Sequence, residues 1–143
     1  EGPLCIIRPS LIYGPRDPHN GYGPNKFIRL AKKNLDIEIF GNGEELRDHV
    51  FIDDVANIFL MIILHQATGI LNIATGKLNS FLNIAEVAID NLKSKSKIKK
   101  ILRTGPIPHN GYREFNISNF KNVFPNFEYK NLNDIINQIK GEY

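Results

Sequence analysis

Residues 41–56 read GNGEELRDHVFIDDVA, and this stretch decides the predicted fold. A Gly-Asn-Gly turn comes first, and the charged pair Arg47 and Asp48 then leads into apolar residues that stop at two adjacent aspartates. Glycines suit a tight turn, a short apolar run is typical of a strand, and an aspartate satisfies free N–H groups where a helix begins. We therefore predict a turn, a strand and a helix capped by Asp53 or Asp54.

Apolar segments with strand-like or helical spacing alternate on both sides of this stretch. The predicted strands lie at residues 4–7, 37–40, 49–52, 70–74 and 98–102. The predicted helices begin at Pro24, at Asp53 or Asp54, at Asn79 or Ser80, at Ser118 and at Asn131. Residues 55–65 are apolar on nearly every face, which predicts a helix buried between layers. Strands and helices that alternate in this way indicate the α/β class.

The composition is that of an ordinary globular protein. The chain has 143 residues, of which 42% are hydrophobic and 23% charged, and this length is enough for one domain with its own core. A formal charge of +3 and a pI of about 9.0 suit an anionic ligand but are too small to indicate nucleic acid. We therefore predict no nucleic-acid partner.

Three features bear on where the protein works. Cys5 is the single cysteine, so no internal disulfide can form, which favours the cytoplasm. The most apolar segment, residues 58–64, is far shorter than the roughly 20 residues of a membrane-spanning helix, and we predict no membrane partner. The residues Glu1-Gly2-Pro3 stand directly before an apolar run, which we interpret as the cut end of a longer protein.

Several site classes leave no pattern in this chain. It contains no G-x-G-x-x-G or P-loop motif, and its four histidines are isolated and lack the spacing of metal ligands. Asp53 and Asp54 could suggest a cation site, but adjacent aspartates before an apolar helix are mostly a cap. Only Asp48, His49 and Asp53 could add ligands. We predict no metal site.

Arg47 is the strongest candidate for binding an anion. An arginine that leads into a buried strand can hold a pair of phosphate oxygens with its guanidinium fork. An ion pair with Glu44, Glu45 or Asp48 explains the same position equally well. Arg113, which lies between Tyr112 and Glu114, leaves the same two alternatives open. Together with Lys26 at a helix start, the two arginines would suit a diphosphate.

Four segments, in a fixed order, carry a resemblance to a known family. They are RPSLIYGP at residues 8–15, PNKFI at 24–28, IFGNGEELRDHVFIDDVA at 39–56 and LNIATG at 71–76. In this order they resemble the C-terminal half of the extended short-chain dehydrogenase/reductase family, in particular its NAD-dependent nucleotide-sugar epimerases and dehydratases. The resemblance covers essentially the whole chain.

The resemblance implies the C-terminal portion of an extended Rossmann-type reductase, with the last sheet strands and a small mixed α/β substrate-binding domain. Residues 1–15 and about 53–76 would be Rossmann-side elements of this single fragment. Residues from about 16 to 52 and from 77 to 143 would form the substrate-binding subdomain. Residues 4–7 would be the last-but-one parallel strand of the Rossmann sheet.

The resemblance also implies roles for individual residues. Those expected to line the nicotinamide end of the cofactor cleft are Pro9, Ser10, Leu11 and Tyr13. Those expected at the substrate are Asn25, Lys26, Phe40, Arg47 and Arg113, with Phe40 beside the base and both arginines at the phosphates. Leu11 departs from the family pattern, because many members have asparagine there, next to the phosphate.

The family's catalytic machinery is expected before Leu4. There lie its glycine-rich NAD fingerprint and its Tyr-x-x-x-Lys, in which the tyrosine takes a substrate proton and NAD accepts hydride. The resemblance thus implies a parent enzyme that uses NAD or NADP. We predict that this segment contains no catalytic residue, binds no cofactor alone and has no turnover.

The expected ligand is a nucleotide-sugar diphosphate, and the expected parent is a homodimer. The fragment alone should associate with itself through the unpaired sheet edge at residues 4–7. Two alternatives remain open: an extended reductase for a non-nucleotide substrate such as a steroid or flavonoid, and a non-catalytic member with a structural or interaction role.

Overall fold

Helices and short strands alternate along residues 2–142, the part of the chain that the computed structural model describes; positions 1 and 143, the ends of the predicted ranges, lie outside it. The strands are β1 (Cys5–Pro9), β2 (Leu11–Tyr13), β3 (Ile37–Phe40), β4 (Leu46–Arg47), β5 (His49–Phe51), β6 (Gly69–Ile73), β7 (Asn79–Ser80), β8 (Ile98–Ile101) and β9 (Tyr112–Arg113). The helices are α1 (Pro24–Lys32), α2 (Ile52–Leu64), α3 (Phe81–Leu92), α4 (Ser118–Val123) and α5 (Leu132–Ile139). The prediction of an α/β fold is confirmed.

The strands pair mainly in parallel. β1 runs parallel to β6 with Ile6 opposite Ile70, β2 runs parallel to β5, and β3 runs parallel to β8. β4 lies between β7, which is antiparallel to it, and β9, which is parallel. Parallel neighbours need a crossover connection, and α2 supplies part of the one that leads from β1 to β6. This parallel pair is what the resemblance implies for the last strands of a Rossmann sheet.

Two hydrophobic clusters hold these elements together. The first joins α1, α3 and α5 through buried residues such as Phe27, Ala85 and Ile136. The second joins β5, β6, α2 and α4, and it includes Ile58 and Phe120. Phe120 comes from the region after residue 77, yet it packs with elements predicted to be Rossmann-side. The predicted division into two parts therefore stays a prediction.

Side-chain caps begin α3 and α5 as expected, whereas α2 begins without one. The Ser80 Oγ accepts a hydrogen bond from the Asn83 N–H at 3.0 Å, and the Asn131 Oδ1 accepts one from the Asp134 N–H at 2.9 Å. The predicted cap at Asp53 or Asp54 is wrong. α2 begins one residue earlier, and both aspartates lie in its first turn, where their charge favours the positive end of the helix.

The outer face of α2 contradicts the prediction of a helix buried between layers. Val55 and Ile58 are buried, but Phe59, Leu60 and Ile63 are 44%, 55% and 70% exposed. Within residues 2–142, the core packs against one side of this helix only. No helix in this range combines the length and apolar character that crossing a membrane requires.

Candidate functional site

Two arginines lie side by side on neighbouring strands. Arg47 ends β4 and Arg113 ends β9, and the parallel register places them directly opposite each other. Arg47 is buried and Arg113 is exposed. Burial, and to a lesser extent the positive charge of Arg113, lowers the pKa of the Arg47 guanidinium from its ordinary value. The strand register thus concentrates positive charge at one place.

One of the two alternatives for Arg47, an ion pair with a neighbouring carboxylate, is present in the structure. Its Nη2 donates to the Glu45 Oε2 at 2.6 Å, and the Glu45 side chain is itself buried. The same Nη2 donates to the Pro108 carbonyl at 2.8 Å, and Nη1 donates to the Leu46 carbonyl at 2.8 Å. Arg47 is therefore held rigidly at the strand end.

Arg103 is a third arginine at this place, and the sequence analysis missed it. Its Nη2 pairs with the Glu45 Oε1, and its guanidinium carbon lies 5.2 Å above the centre of the Phe40 ring. Its buried Nε has no hydrogen-bond partner among the described residues. Arg103 follows β8, and only the pairing of β8 with β3 brings it to Phe40. No local sequence pattern reports that pairing.

Asp48, which follows Arg47, connects three segments of the chain by hydrogen bonds. It is 1% exposed, and its carboxylate accepts hydrogen bonds from the Ser10 Oγ at 2.7 Å and the Gly76 N–H at 2.8 Å. It also accepts from the Thr75 N–H at 3.0 Å and the Thr75 Oγ at 2.8 Å. One carboxylate thus joins the strand end before β2, the β4–β5 junction and the loop after β6.

The predicted site residues divide into two groups. A cavity of about 80 Å³ brings together five of them and two neighbours; its lining is Pro9, Ser10, Leu11, Arg47, Asp48, Arg113 and Phe115. Tyr13, Asn25, Lys26 and Phe40 lie outside it. Asn25 is buried, accepts from the Gly14 N–H at 3.1 Å and donates to Asp17 at 2.7 Å, so its side chain supports the loop before α1.

The remaining three predicted residues have different surroundings. Tyr13 is 3% exposed, and its ring packs against His49 and Phe51. Phe40 packs against Tyr22, with ring centres 5.0 Å apart, in addition to lying beneath Arg103. Lys26 lines a separate surface groove beside Arg29 and Lys33. Of these, only Phe40 is connected to the arginines.

The expectation that the Tyr-x-x-x-Lys spacing occurs only before Leu4 is wrong, because Tyr22 and Lys26 have it. The Tyr22 Oη accepts a hydrogen bond from the Phe40 N–H at 3.1 Å. Burial raises the pKa of this tyrosine, whereas a catalytic tyrosinate needs a lowered one. Tyr22 packs on Phe40 and Phe81, and Lys26 lies in the groove beside Arg29. The two side chains therefore line different cavities.

His49 is a half-buried titratable group beside Asp48, and its Nδ1 is enclosed. Burial lowers its pKa to about 4, and its Nδ1 makes no hydrogen bond of normal geometry among the described residues. It packs between the rings of Tyr13 and Phe81. The imidazole is therefore neutral at physiological pH. In residues 2–142, no group of three or more His, Cys, Asp or Glu side chains could hold a metal ion.

His49 should make the stability of the protein depend on pH. Because its folded pKa is lowered, this contribution is complete above the unfolded value of 6.5 and is lost as the pH falls towards 4. The loss should total about 3 kcal/mol. Urea denaturation between pH 7.5 and 4 measures it. The substitution His49→Phe should flatten this part of the profile, and an unchanged slope would contradict the assignment.

Comparison with known proteins adds a family match to this geometry. Residues 2–74, just over half of the chain, match the model described as the NAD dependent epimerase/dehydratase family. The chain is 32% identical over 109 residues to the ADP-L-glycero-D-manno-heptose-6-epimerase of Fusobacterium nucleatum. The aligned segment covers 63% of this chain and 32% of that protein. The chain thus spans about a third of that curated relative.

Two solved structures show the same fold over nearly the whole chain. UDP-glucuronic acid 4-epimerase from Bacillus cereus, solved with UDP-glucuronic acid and NAD, covers 98% of this chain with a TM-score of 0.80 at 20% identity. dTDP-glucose 4,6-dehydratase from Bacillus anthracis, solved with NAD, covers 97% with a TM-score of 0.78 at 18% identity. The chain spans 45% and 44% of these two proteins. At such identities the likeness shows the fold alone.

Proposed function

This chain belongs to the NAD dependent epimerase/dehydratase family, and from that premise we propose that it is the nucleotide-sugar-binding part of an NAD-dependent epimerase or dehydratase. The observation that carries the proposal is the pair Arg47 and Arg113, which stand opposite each other at one cavity. Strands lie about 4.8 Å apart, a spacing that lets two guanidinium groups contact neighbouring phosphates. The proposed ligand is a nucleoside diphosphate sugar.

The relatives support this substrate class. One is an epimerase of an ADP-linked heptose, and another was solved with UDP-glucuronic acid. In our proposal Arg113 is the residue that gives the ligand most of its affinity, because it is exposed and forms no ion pair among the described residues. Arg47 already has protein partners, so it supplies its remaining donors from a fixed position.

The proposed cofactor of the parent enzyme is NAD or NADP, and the residues predicted to line its nicotinamide end fit that role only in part. Pro9 and Leu11 are exposed and can form an apolar wall. The Ser10 hydroxyl donates a hydrogen bond to Asp48, and Tyr13 is enclosed by its aromatic neighbours. We propose that the latter two act by supporting the wall.

We propose that this chain binds the substrate and that the catalytic residues of the parent enzyme lie outside it. The parent reaction would be reversible oxidation at a sugar carbon, followed by epimerisation or loss of water. Since Tyr22 and Lys26 do not form a catalytic pair, the 143 residues alone should bind a nucleotide sugar without converting it. The cytoplasm, where nucleotide sugars would be available, is the proposed location.

Calorimetric titration of the chain with nucleoside phosphates tests the proposal. UDP, ADP, GDP and dTDP are each compared with the corresponding monophosphate, UMP, AMP, GMP or dTMP. We expect at least one diphosphate to bind about tenfold more tightly than its monophosphate, because only a diphosphate can contact both arginines. Absence of binding by all four diphosphates would refute the proposed function. Preferential binding of a steroid or flavonoid would favour the reductase alternative.

We also propose that the chain self-associates through β1. Among the described residues β1 is hydrogen-bonded to β6 alone, and Ile6 and Ile70 on one face are 44% and 45% exposed. An exposed strand edge beside apolar side chains tends to pair with another strand. The parent enzyme is proposed to be a homodimer.

The substitution Ile6→Lys should weaken this self-association about tenfold, because pairing would bury the new charge. Sedimentation velocity over a range of protein concentrations measures the effect. The matched control is Leu102→Lys, at a position 89% exposed and outside the β1–β6 pair, which should leave association unchanged. A wild-type chain that stays monomeric at every concentration contradicts the proposal.

A further inference from the structure

Glu45 is a buried carboxylate shared by two arginines from distant parts of the chain. Its side chain is 6% exposed, its Oε2 accepts from Arg47, and its Oε1 accepts from Arg103. Arg47 lies two residues away, whereas Arg103 follows β8. Each carboxylate oxygen is therefore assigned to a different guanidinium group.

The two arginines are also held by other contacts. The Nη groups of Arg47 donate to the carbonyls of Leu46 and Pro108. The guanidinium of Arg103 lies on the ring of Phe40. Together with the Glu45 carboxylate, these contacts leave each guanidinium little freedom to rotate. A charged group fixed in this way loses little conformational entropy when it binds a ligand.

Some donor capacity remains unused. The buried Nε of Arg103 has no hydrogen-bond partner among the described residues, but it is enclosed, so Arg103 can act on a ligand only through Glu45. Arg47, on the other side of Glu45, lines the cavity that also contains Arg113. The N–H groups of Arg47 that its protein contacts do not use, together with Arg113, therefore suit a ligand that carries several anionic oxygens.

We propose that Glu45 is a positioning residue: with Arg103 bound to its other carboxylate oxygen, it fixes Arg47 so that the remaining N–H groups of Arg47 face a pair of phosphates. This inference rests on the proposed function, because it concerns the same anion site. It adds Arg103 as a support of the site that acts through Glu45, and it assigns a role in anion binding to a residue that itself carries a negative charge.

Whether removal of the Glu45 charge strengthens or weakens anion binding distinguishes a positioning role from a purely electrostatic effect. A carboxylate near an anion site repels the anion, so its neutralisation should strengthen binding if charge alone matters. In Glu45→Gln, the amide NH₂ faces a guanidinium. Both groups are hydrogen-bond donors, so no hydrogen bond forms between them and one arginine loses its fixed orientation. Positioning therefore predicts weaker binding although a repulsive charge has been removed.

The experiment titrates inorganic pyrophosphate into the full chain by calorimetry. We expect Glu45→Gln to bind about tenfold more weakly than the wild type. Glu114→Gln is the matched control, because Glu114 is exposed, follows Arg113 and accepts a hydrogen bond from the Tyr112 hydroxyl. It removes the same charge close to the site, and its affinity should be equal to that of the wild type or slightly higher.

A second variant keeps the proposal testable if Glu45→Gln does not fold, which circular dichroism reports. Arg103→Lys retains the positive charge but loses the planar fork, and it should also bind about tenfold more weakly. In the wild type, the Nε–H resonance of Arg103 should shift when pyrophosphate is added, and in Glu45→Gln that shift should be lost. A purely structural role for Glu45 would not alter that response.

Two outcomes overturn the inference, and they can be told apart. If the wild type binds pyrophosphate and folded Glu45→Gln binds it equally well or better, the positioning role is wrong and the proposed function stands. The same conclusion follows if Arg103→Lys binds like the wild type. If the wild type binds no pyrophosphate, the anion site itself fails, and the proposed function fails with it.

Discussion

The substitution Asp48→Asn should lower the free energy of unfolding by about 4 kcal/mol, the largest effect of a single polar change expected in this chain. The carboxylate accepts four hydrogen bonds, from Ser10, from Thr75 twice and from Gly76. An asparagine presents one oxygen and an NH₂ group, so about half of these donors would face another donor. The site has almost no solvent access through which water could replace the lost contacts.

Urea denaturation followed by circular dichroism measures this effect. The control is Asp90→Asn on the exposed surface of α3, which should change stability by less than about 0.5 kcal/mol. A loss of this size would remove a large fraction of the roughly 5–15 kcal/mol that stabilises a typical domain. If Asp48→Asn stayed within about 1 kcal/mol of the wild type, the carboxylate would not be the anchor of the strand ends.

The substitution Arg113→Leu should lower the affinity for nucleoside diphosphates by about 10- to 100-fold and leave stability nearly unchanged. Arg113 is exposed, its guanidinium carbon lies 5.4 Å from the centre of the Phe115 ring, and it forms no ion pair within residues 2–142. Its removal therefore costs the fold little. Hydrogen bonds to a charged partner contribute about 1.5–3 kcal/mol, which sets the expected range.

Calorimetry with UDP measures the affinity, and Lys121→Leu is the charge-matched control. Lys121 is exposed on α4, so its removal lowers the net charge by the same amount away from the cavity. Equal affinity loss in both variants would show that Arg113 acts only through long-range charge. Arg47 is a less informative position, because its removal would leave the buried Glu45 with one partner fewer and destabilise the fold as well.

Much of the fold could be predicted because the relevant signals are local. Apolar runs, caps and turns depend on neighbours in sequence, and Ser80, Asn131 and Pro24 mark helix starts as expected. The parallel pairing of β1 with β6 follows from a resemblance that extends over the chain. The arginine pair could be proposed for the same reason, since Arg47 and Arg113 stand out in charged, strand-like segments.

The errors arise where contacts between distant segments decide the outcome. Asp54 has the position of a helix cap in the sequence, yet its carboxylate accepts a hydrogen bond from the Lys130 N–H at 3.1 Å, 76 residues away. Arg103 reaches Glu45 only because β8 pairs with β3. The outer face of α2 has apolar residues for which residues 2–142 supply no partner layer. Neither periodicity nor propensity contains this information.

The chain should bind a nucleotide sugar without converting it, and one measurement tests this expectation most directly. The purified 143-residue chain is mixed with NAD and, one at a time, with UDP-, ADP-, GDP- and dTDP-linked sugars. Absorbance at the wavelength of NADH is followed, and calorimetry records binding. We predict saturable binding of the nucleotide sugar, no formation of NADH and no epimerised sugar. Formation of NADH or of an epimer by this chain alone, or failure to bind any nucleotide sugar, would contradict the claim.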